Sequence, residues 1–236
     1  MVKEELVKRS PLRILEKSIH GGLGKGNLGI VASRKGTGKT ACLVHIATDQ
    51  LFQGKHVIHI SFSGRTDHIV SWYEDIFGEI TKKRELENAM TVHDDVIKNR
   101  VIMNFNQDGV TAAQLLRSVR ALVGEGQFQA DVIVVDGYSF EKGKPETLAA
   151  IKEFAEELGI SVWFSASIHR EDPRPDVNGV PALLLPYMDN VAVLITLQPT
   201  SASHVKLSLV KDHENPVTED LHLTLDSRSL LIAEEQ

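Results

Sequence analysis

Several things are scarce in this sequence, and each scarcity closes off a class of protein. Cys42 is the only cysteine among 236 residues, so no internal disulfide can form, and a lone thiol fits a reducing compartment. No apolar run approaches the roughly 20 residues that a membrane-spanning helix needs. Met1 to Lys17 carries charge throughout and has no apolar stretch of the signal-peptide kind. Together these predict a cytoplasmic protein with no membrane partner. A surplus of positive charge is also missing. Twenty-six Lys and Arg stand against thirty-two Asp and Glu, so the surface as a whole repels a polyanion. Nucleic acid is therefore not the favoured partner, although a local basic channel is compatible with these numbers. Internal repeats and low-complexity tracts are absent too.

What remains is ordinary globular material, 42% hydrophobic and 25% charged. It is enough for one large domain over 1–236, with 1–19 as a leader segment. Apolar β-formers alternate with helical periods along most of the chain. Strands are expected at Leu28 to Ala32, His56 to Phe62, Val101 to Phe105, Val132 to Val135 and Ile160 to Ser165. Helices are expected at Thr40 to Phe52, around Ile69 to Ile80, at Thr111 to Val123 and at Glu146 to Leu158. Strands separated by helices pair in parallel, and strands that are apolar throughout lie in a sheet covered on both faces. After a loop rich in proline and charge, Arg170 to Pro181, come Val191 to Leu197, Val205 to Val210, Leu221 to Leu225 and Leu230 to Ala233. No helix is expected among these four, so they are expected as antiparallel additions at the sheet edge. The fold class is α/β, a mostly parallel, doubly wound sheet with antiparallel C-terminal edge strands.

Between the first strand and its helix lies Ser33-Arg34-Lys35-Gly36-Thr37-Gly38-Lys39-Thr40. It matches the P-loop pattern at every defining position except the first, where serine replaces glycine. Glycines let the backbone curl so that successive N–H groups face phosphate oxygens, and the following helix, which begins at Thr40 and Ala41, adds the positive end of its dipole. In this pattern Lys39 neutralises β- and γ-phosphoryl oxygens, and Thr40 gives its hydroxyl to Mg2+. Arg34 and Lys35 add charge, as exposed loop residues often do. Val132-Ile133-Val134-Val135-Asp136 supplies the second requirement. Its carboxylate, at the end of a buried strand beside the loop, suits the metal.

With those motifs placed, the chain resembles the KaiC branch of the RecA superfamily. His20-Gly21-Gly22-Leu23-Gly24-Lys25-Gly26-Asn27-Leu28 is similar to that family's GGLPKGSL segment, His59-Ile60-Ser61-Phe62 to its second strand, and Val210-Lys211-Asp212-His213 to its late basic hairpin. Replicative helicases of the DnaB type share much of this pattern. The resemblance implies a RecA-like P-loop NTPase sheet, ATP with Mg2+, and homo-oligomeric assembly into a ring of hexameric type with nucleotide sites between subunits. It also implies a trans role for Lys211 at a neighbour's γ-phosphate, and a protein partner it does not identify. Two departures bear on turnover. Where the family places a water-positioning glutamate after the second strand, this chain has Ser63-Gly64, and general-base help is typically worth about 10²–10⁴-fold. Asp67 and Glu74 follow on the next helix, where a helix cap and a solvent-facing acid are the simpler roles. His213 replaces the arginine of the late Lys-x-Arg, and imidazole is neither permanently charged nor bidentate. The expected activity is slow ATP hydrolysis, with ATP binding alone or a DNA-dependent motor of the recombinase or helicase kind as the alternatives.

Other features predict packing more than chemistry. Trp72, Tyr73 and Phe77 recur at core spacing, Lys82-Lys83-Arg84 reads as a solvated face, and Cys42 reads as a small packing residue. Ser165, Ser167 and His169 close the strand beside that of Asp136 and are candidates for sensing a γ-phosphate. Arg170 and Arg174 are offset by Glu171, Asp172 and Asp176, which gives no polyanion signal. The ten histidines are scattered, with no zinc spacing.

Overall fold

The structure, a computed structural model, describes residues 2–62, 65–84, 89–106, 111–169, 171–172, 174–176, 178–200, 203–215, 217 and 220–235. Its centre is a nine-stranded sheet, built of β1 (Leu28–Arg34), β2 (Val57–Ser61), β3 (Arg100–Asn104), β4 (Val132–Asp136), β5 (Ser161–Ile168), β6 (Val193–Pro199), β7 (His204–Asp212), β8 (Leu223–Asp226) and β9 (Ile232–Glu234). The order across the sheet is β3-β2-β4-β5-β1-β6-β7-β8-β9. Every pair from β3 to β6 is parallel, and the pairs from β6 to β9 are antiparallel.

The period of two along each strand divides the core into two layers. Val31, Val57, Val132, Val134 and Trp163 face α3 (Lys39–Phe52), α4 (Thr66–Arg84) and α5 (Ala89–Lys98). Their alternates Ile30, Ile58, Ile133, Val135 and Phe164 face α6 (Ala112–Gly124), α7 (Pro145–Leu158) and a 3-10 helix, Ala182–Asn190. Full burial of one such side chain is worth roughly 1.5–3 kcal/mol, so a slip of register by one residue would be costly in every central strand.

Local signals set the helix ends. Thr111 accepts from the N–H of Gln114 while the Gln114 side chain accepts from the N–H of Thr111, a reciprocal capping box at the start of α6. Pro145 opens α7, and Gly159 closes it at φ 63°. Helix α3 is buried nearly all round, which explains its weak amphipathicity in sequence. On α4, Tyr73 and Phe77 are buried as expected, and Lys82 and Lys83 are exposed.

Four features differ from the sequence expectation. The charged leader is not an appendage. It forms α1 (Val2–Lys8) and α2 (Leu12–Ser18), which bury Leu6, Leu12, Leu15 and Ile19 on the α3 side of the core. Helix α5 was not expected, because Thr91, Val92, Val96 and Ile97 are β-branched; what holds it is Val92 and Val96, one turn apart and both buried. The 3-10 helix, with Pro181 before it and Pro186 inside it, carries no helical period. That helix produces the main correction, for β6 is parallel to β1 rather than antiparallel. The chain leaving β5 crosses back along the sheet through the 3-10 helix, burying Leu184 and Tyr187, and Ala192 donates its N–H to the Leu28 carbonyl at 2.8 Å, where β1 begins.

Gly29 shows how tightly the middle of the sheet is filled. It sits opposite Trp163 in the β1–β5 register, and a Cβ there would lie 2.6 Å from the indole ring. Gly29→Ala is expected to cost about 1–3 kcal/mol by overpacking, read as a lower urea midpoint at unchanged m-value.

Candidate functional site

Strands β1, β2, β4 and β5 run the same way, so the loops that follow them emerge at one edge of the sheet. At that edge the chain leaves β1 at Arg34, turns through 35–38 and enters α3 at Lys39. Gly36 and Gly38 have φ of 79° and 107°, values that side-chain-bearing residues rarely adopt. Ser33 lies within β1, and its hydroxyl donates to the Arg34 carbonyl at 3.1 Å. Serine fits there because the backbone is extended and needs no left-handed φ. Gly38 is the N-cap of α3 and gives it no side-chain cap. The first-turn amides of Lys39, Thr40 and Ala41 therefore lack the partner that a capping side chain usually offers.

Two side chains of this turn are held inward. Lys39 is 8% exposed, and its Nζ donates to the carbonyls of Ser33 and Arg34 at 3.1 and 3.0 Å. Burial pulls its pKa down, and the charge of Asp136 pulls it back up. Thr40 Oγ1 donates to Asp136 Oδ2 at 2.8 Å. Lys39, Thr40 and Asp136 are thus brought together, although β4, which bears Asp136, is not adjacent to β1. Strand β5 lies between them, and the first turn of α3 spans the gap. Arg34, Lys35 and Gly36 are exposed at the tip of the turn.

Other expected residues fall elsewhere. Lys211 pairs with Leu194, level with Ile30, which is four residues or about 13 Å of strand before the turn. Its Nζ donates to the Met188 carbonyl at 2.8 Å, so within one chain it does not join Lys39, Thr40 and Asp136. His213 is tied to Asp212 Oδ1 at 2.8 Å and to the Leu23 carbonyl at 3.2 Å. Ser165 is buried and accepts from the Gly137 N–H at 2.8 Å, which pins the end of β4 to β5. Ser167 and His169 are exposed. Asp67 accepts from Arg65 through both oxygens, and Glu74 Oε2 is paired with His93 Nε2 at 2.6 Å. Ser63, Gly64 and Arg170 lie outside the described residues. Cys42 is fully buried, and burial pushes its thiol up to about 12, which removes it as a nucleophile. Among the described residues Asp220, His222 and Glu235 come together, all three exposed, with Asp220 already bound to Lys206.

Two neighbours of the turn were not anticipated. Leu225 of β8 packs on it, since a Cβ on Gly38 would lie 2.4 Å from Leu225 Cδ2. His59 is fully buried in β2 on the Asp136 side of the sheet. Its Nδ1 is hydrogen-bonded to the Tyr73 hydroxyl at 3.1 Å, Nε2 has no partner among the described residues, and the Arg100 guanidinium lies 4.2 Å over the Tyr73 ring. A polar residue in the middle of Val57-Ile58-His59-Ile60 was the available signal for it. Nothing in sequence pointed to Leu225.

No family model matches the chain, and no curated protein matches it. Among the described residues no helix is long and apolar enough to cross a membrane.

Two buried histidines make stability depend on pH. Burial lowers His45 and His59 to about 4, with Lys83 adding to the effect at His45 and Asp136 opposing it at His59. Unfolded histidine titrates near 6.5. Between these values the unfolded chain binds more protons, so stability is full above about pH 6.5 and is lost as pH falls toward 4. Each histidine contributes a slope of up to about 1.4 kcal/mol per pH unit, while Asp49, whose carboxyl burial pushes up, opposes the loss at the acid end. Urea midpoints measured from pH 7.5 to 4.5 should fall, and His59→Gln should flatten the fall.

Proposed function

We propose that the chain is a RecA-like P-loop protein of KaiC type. In this reading ATP and Mg2+ bind at the turn from Ser33 to Ala41 together with Asp136, and turnover is slow. The observation that carries the reading is the 2.8 Å hydrogen bond from Thr40 Oγ1 to Asp136 Oδ2. It sets a hydroxyl and a carboxylate, hard oxygen ligands from different elements, within the reach of one small divalent ion. The residues also fit the phosphates. A Cβ on Gly36 would meet nothing within 4 Å, so the outer face of the turn is open. The start of α3 has uncapped amides and a positive dipole end. The Lys39 ammonium, bound to two carbonyls, can exchange them for phosphoryl oxygens and recover a full countercharge.

A metal held by Thr40 and Asp136 would supply neutralisation of phosphoryl charge. The chain's own contribution is to hold the triphosphate by its amides, to place Lys39 against it, and to keep Asp136 oriented beside Thr40. Slow turnover is supported by where the spare acids go. Asp67 is taken by Arg65 and Glu74 by His93, and neither side chain hangs free to activate water. The same observation favours a second reading, in which bound ATP is not hydrolysed and only occupancy matters, to assemble a ring or recruit a partner. If a ring forms, Lys211 would have to act on a neighbour's nucleotide after leaving the Met188 carbonyl.

Calorimetry with MgATP tests the first claim. Saturable binding by the wild type is expected, weakened about 10- to 100-fold by Lys39→Ala, which removes a charge-assisted contact of roughly 1.5–3 kcal/mol. Asp136→Asn should remove most of the Mg2+ dependence and leave residual binding of ATP alone. Absence of heat from folded wild-type protein ends the nucleotide reading. Phosphate release no faster than that of Lys39→Ala ends the enzyme reading and leaves the regulator.

A further inference from the structure

The helical layer on the face of the sheet away from α3 leaves part of that face open. Helices α6 and α7 are clamped toward their C-terminal ends, where the Arg120 guanidinium donates to both carboxylate oxygens of Glu157 and lies 4.9 Å over the Phe154 ring. Toward their N-terminal ends they border a cavity of about 370 Å³, a size found among small-molecule sites. Its floor is the sheet itself, through Ile60, Val135 and Phe164, all buried. Phe62, Leu116 and Tyr138 also line it and are only half-buried, so they hold apolar surface that the fold does not cover.

The mouth is a tied-down turn between β4 and α7. Ser139 Oγ accepts the Lys142 N–H at 3.3 Å, the Ser139 carbonyl accepts the Gly143 N–H at 2.9 Å, and the Phe140 carbonyl accepts the Tyr187 hydroxyl at 2.7 Å. Tyr138 meets the rings of Phe62, Phe140 and Phe164 edge-on, with centroids 6.2, 5.0 and 5.8 Å away, and its hydroxyl is hydrogen-bonded to the Thr147 side chain. A wall fixed in this way loses little freedom when a ligand packs against it. Among the described residues that line the cavity, Lys142 and Lys144 are the charged ones, and both are exposed. Both helices begin at this end, so the positive ends of their dipoles add to the lysine charge. Glu141 and Glu146, the acids nearest in the chain, are outside that lining, and Glu141 stands 3.9 Å from His169.

We propose that this cavity binds a small monoanion with an apolar tail, a medium-chain carboxylate, whose tail lies on Phe62, Leu116 and Tyr138 and whose carboxylate stays at the mouth beside Lys142 and Lys144. Each half of such a ligand answers one half of the lining. A neutral molecule with the same tail would fill the apolar part and gain nothing from the lysines, and a cation would bring a like charge against them. A second carboxylate on the tail would have to enter the apolar part and lose its hydration there, so the ligand carries one charge, at one end. The cavity lies on the opposite face of the sheet from α3 and contains none of the groups placed around the Lys39 turn. It therefore stands whether or not that turn binds a nucleotide.

Octanoate, 1-octanol and octylammonium share one tail and differ in charge, and each can be titrated below its micellar range into the full chain and followed in 1H–15N correlation spectra. The expected result is saturable shifts at the amides of Phe62, Leu116, Tyr138 and Thr147 with octanoate, about tenfold weaker binding of 1-octanol, and weaker binding still of octylammonium. Lys142→Gln combined with Lys144→Gln should bring octanoate down to the affinity of 1-octanol and leave 1-octanol where it was, a pattern that damage to the fold would not give. Leu116→Trp, which narrows the opening, should weaken all three. Lys39→Ala should bind octanoate as the wild type does, which separates failure of this site from failure of the nucleotide reading. Octanoate shifts that do not saturate, or 1-octanol or octylammonium binding as tightly as octanoate, would overturn the proposal and reduce the cavity to a packing void without a choice of charge. That comparison uses the wild-type protein alone and decides the matter even if the variants do not fold.

Discussion

A parallel sheet buried on both faces dictates where anything chemical can happen in this protein. With helices on both faces, the central strands have no solvent face, and each can offer a side chain to a ligand only where it ends. Because β1, β2, β4 and β5 point the same way, their ends share one edge. Thr40 and Asp136, 96 positions apart in the chain, meet there at 2.8 Å. That hydrogen bond crosses β5, so it depends on the helix after β1 starting at the right height. The start is fixed by Gly38, whose left-handed backbone is overlaid by Leu225 from β8. The antiparallel end of the sheet therefore buttresses the turn through an apolar side chain.

Apolar runs made much of this legible in advance. Val132 to Asp136 and Leu28 to Ala32 are apolar throughout because both of their faces are covered, and the glycine and lysine spacing after β1 is demanded by the turn itself. What sequence hid was of two kinds. Some elements carry no period: the 3-10 helix is interrupted by Pro186, and α5 is short and rich in β-branched residues, so the crossover that makes β6 parallel could not be anticipated. Contacts between distant segments were hidden as well. Leu225 on Gly38, β5 between β1 and β4, and Ile232 on His45 follow from topology and leave no trace in local pattern. The leader misled for a related reason. Its charges are frequent, but Leu6, Leu12, Leu15 and Ile19 are spaced to face inward and all four are buried.

Burying α3 on all sides has its own consequences. A helix beneath α1, α2, α4 and the last strands must place whatever polar groups it has inside the protein, and each then needs a partner. Asp49 finds Arg13 and Gln53, His45 finds the amide of Ile232, and Thr48 Oγ1 finds no partner among the described residues. A hydrophobic residue at position 45 or 49 would have packed more cheaply. The polar choices tie the N-terminal hairpin and the C-terminal strand to the helix whose first turn holds Lys39 and Thr40.

The late hairpin follows the same rule of partners made at home. Asp212 is 1% exposed, and a carboxylate so placed requires donors. It takes His20 Nδ1 at 2.6 Å on one oxygen and His213 Nδ1 at 2.8 Å on the other, while His213 Nε2 reaches the Leu23 carbonyl. An arginine at 213 could supply donors to both partners but is longer. Histidine at that position is therefore explained by a structural task, clamping the glycine-rich segment before β1 to the end of β7. Lys211, held on Met188, belongs to the same clamp in a single chain. A hairpin anchored in this way meets another subunit only by giving up contacts already formed, and their loss would count against whatever affinity such an encounter gains.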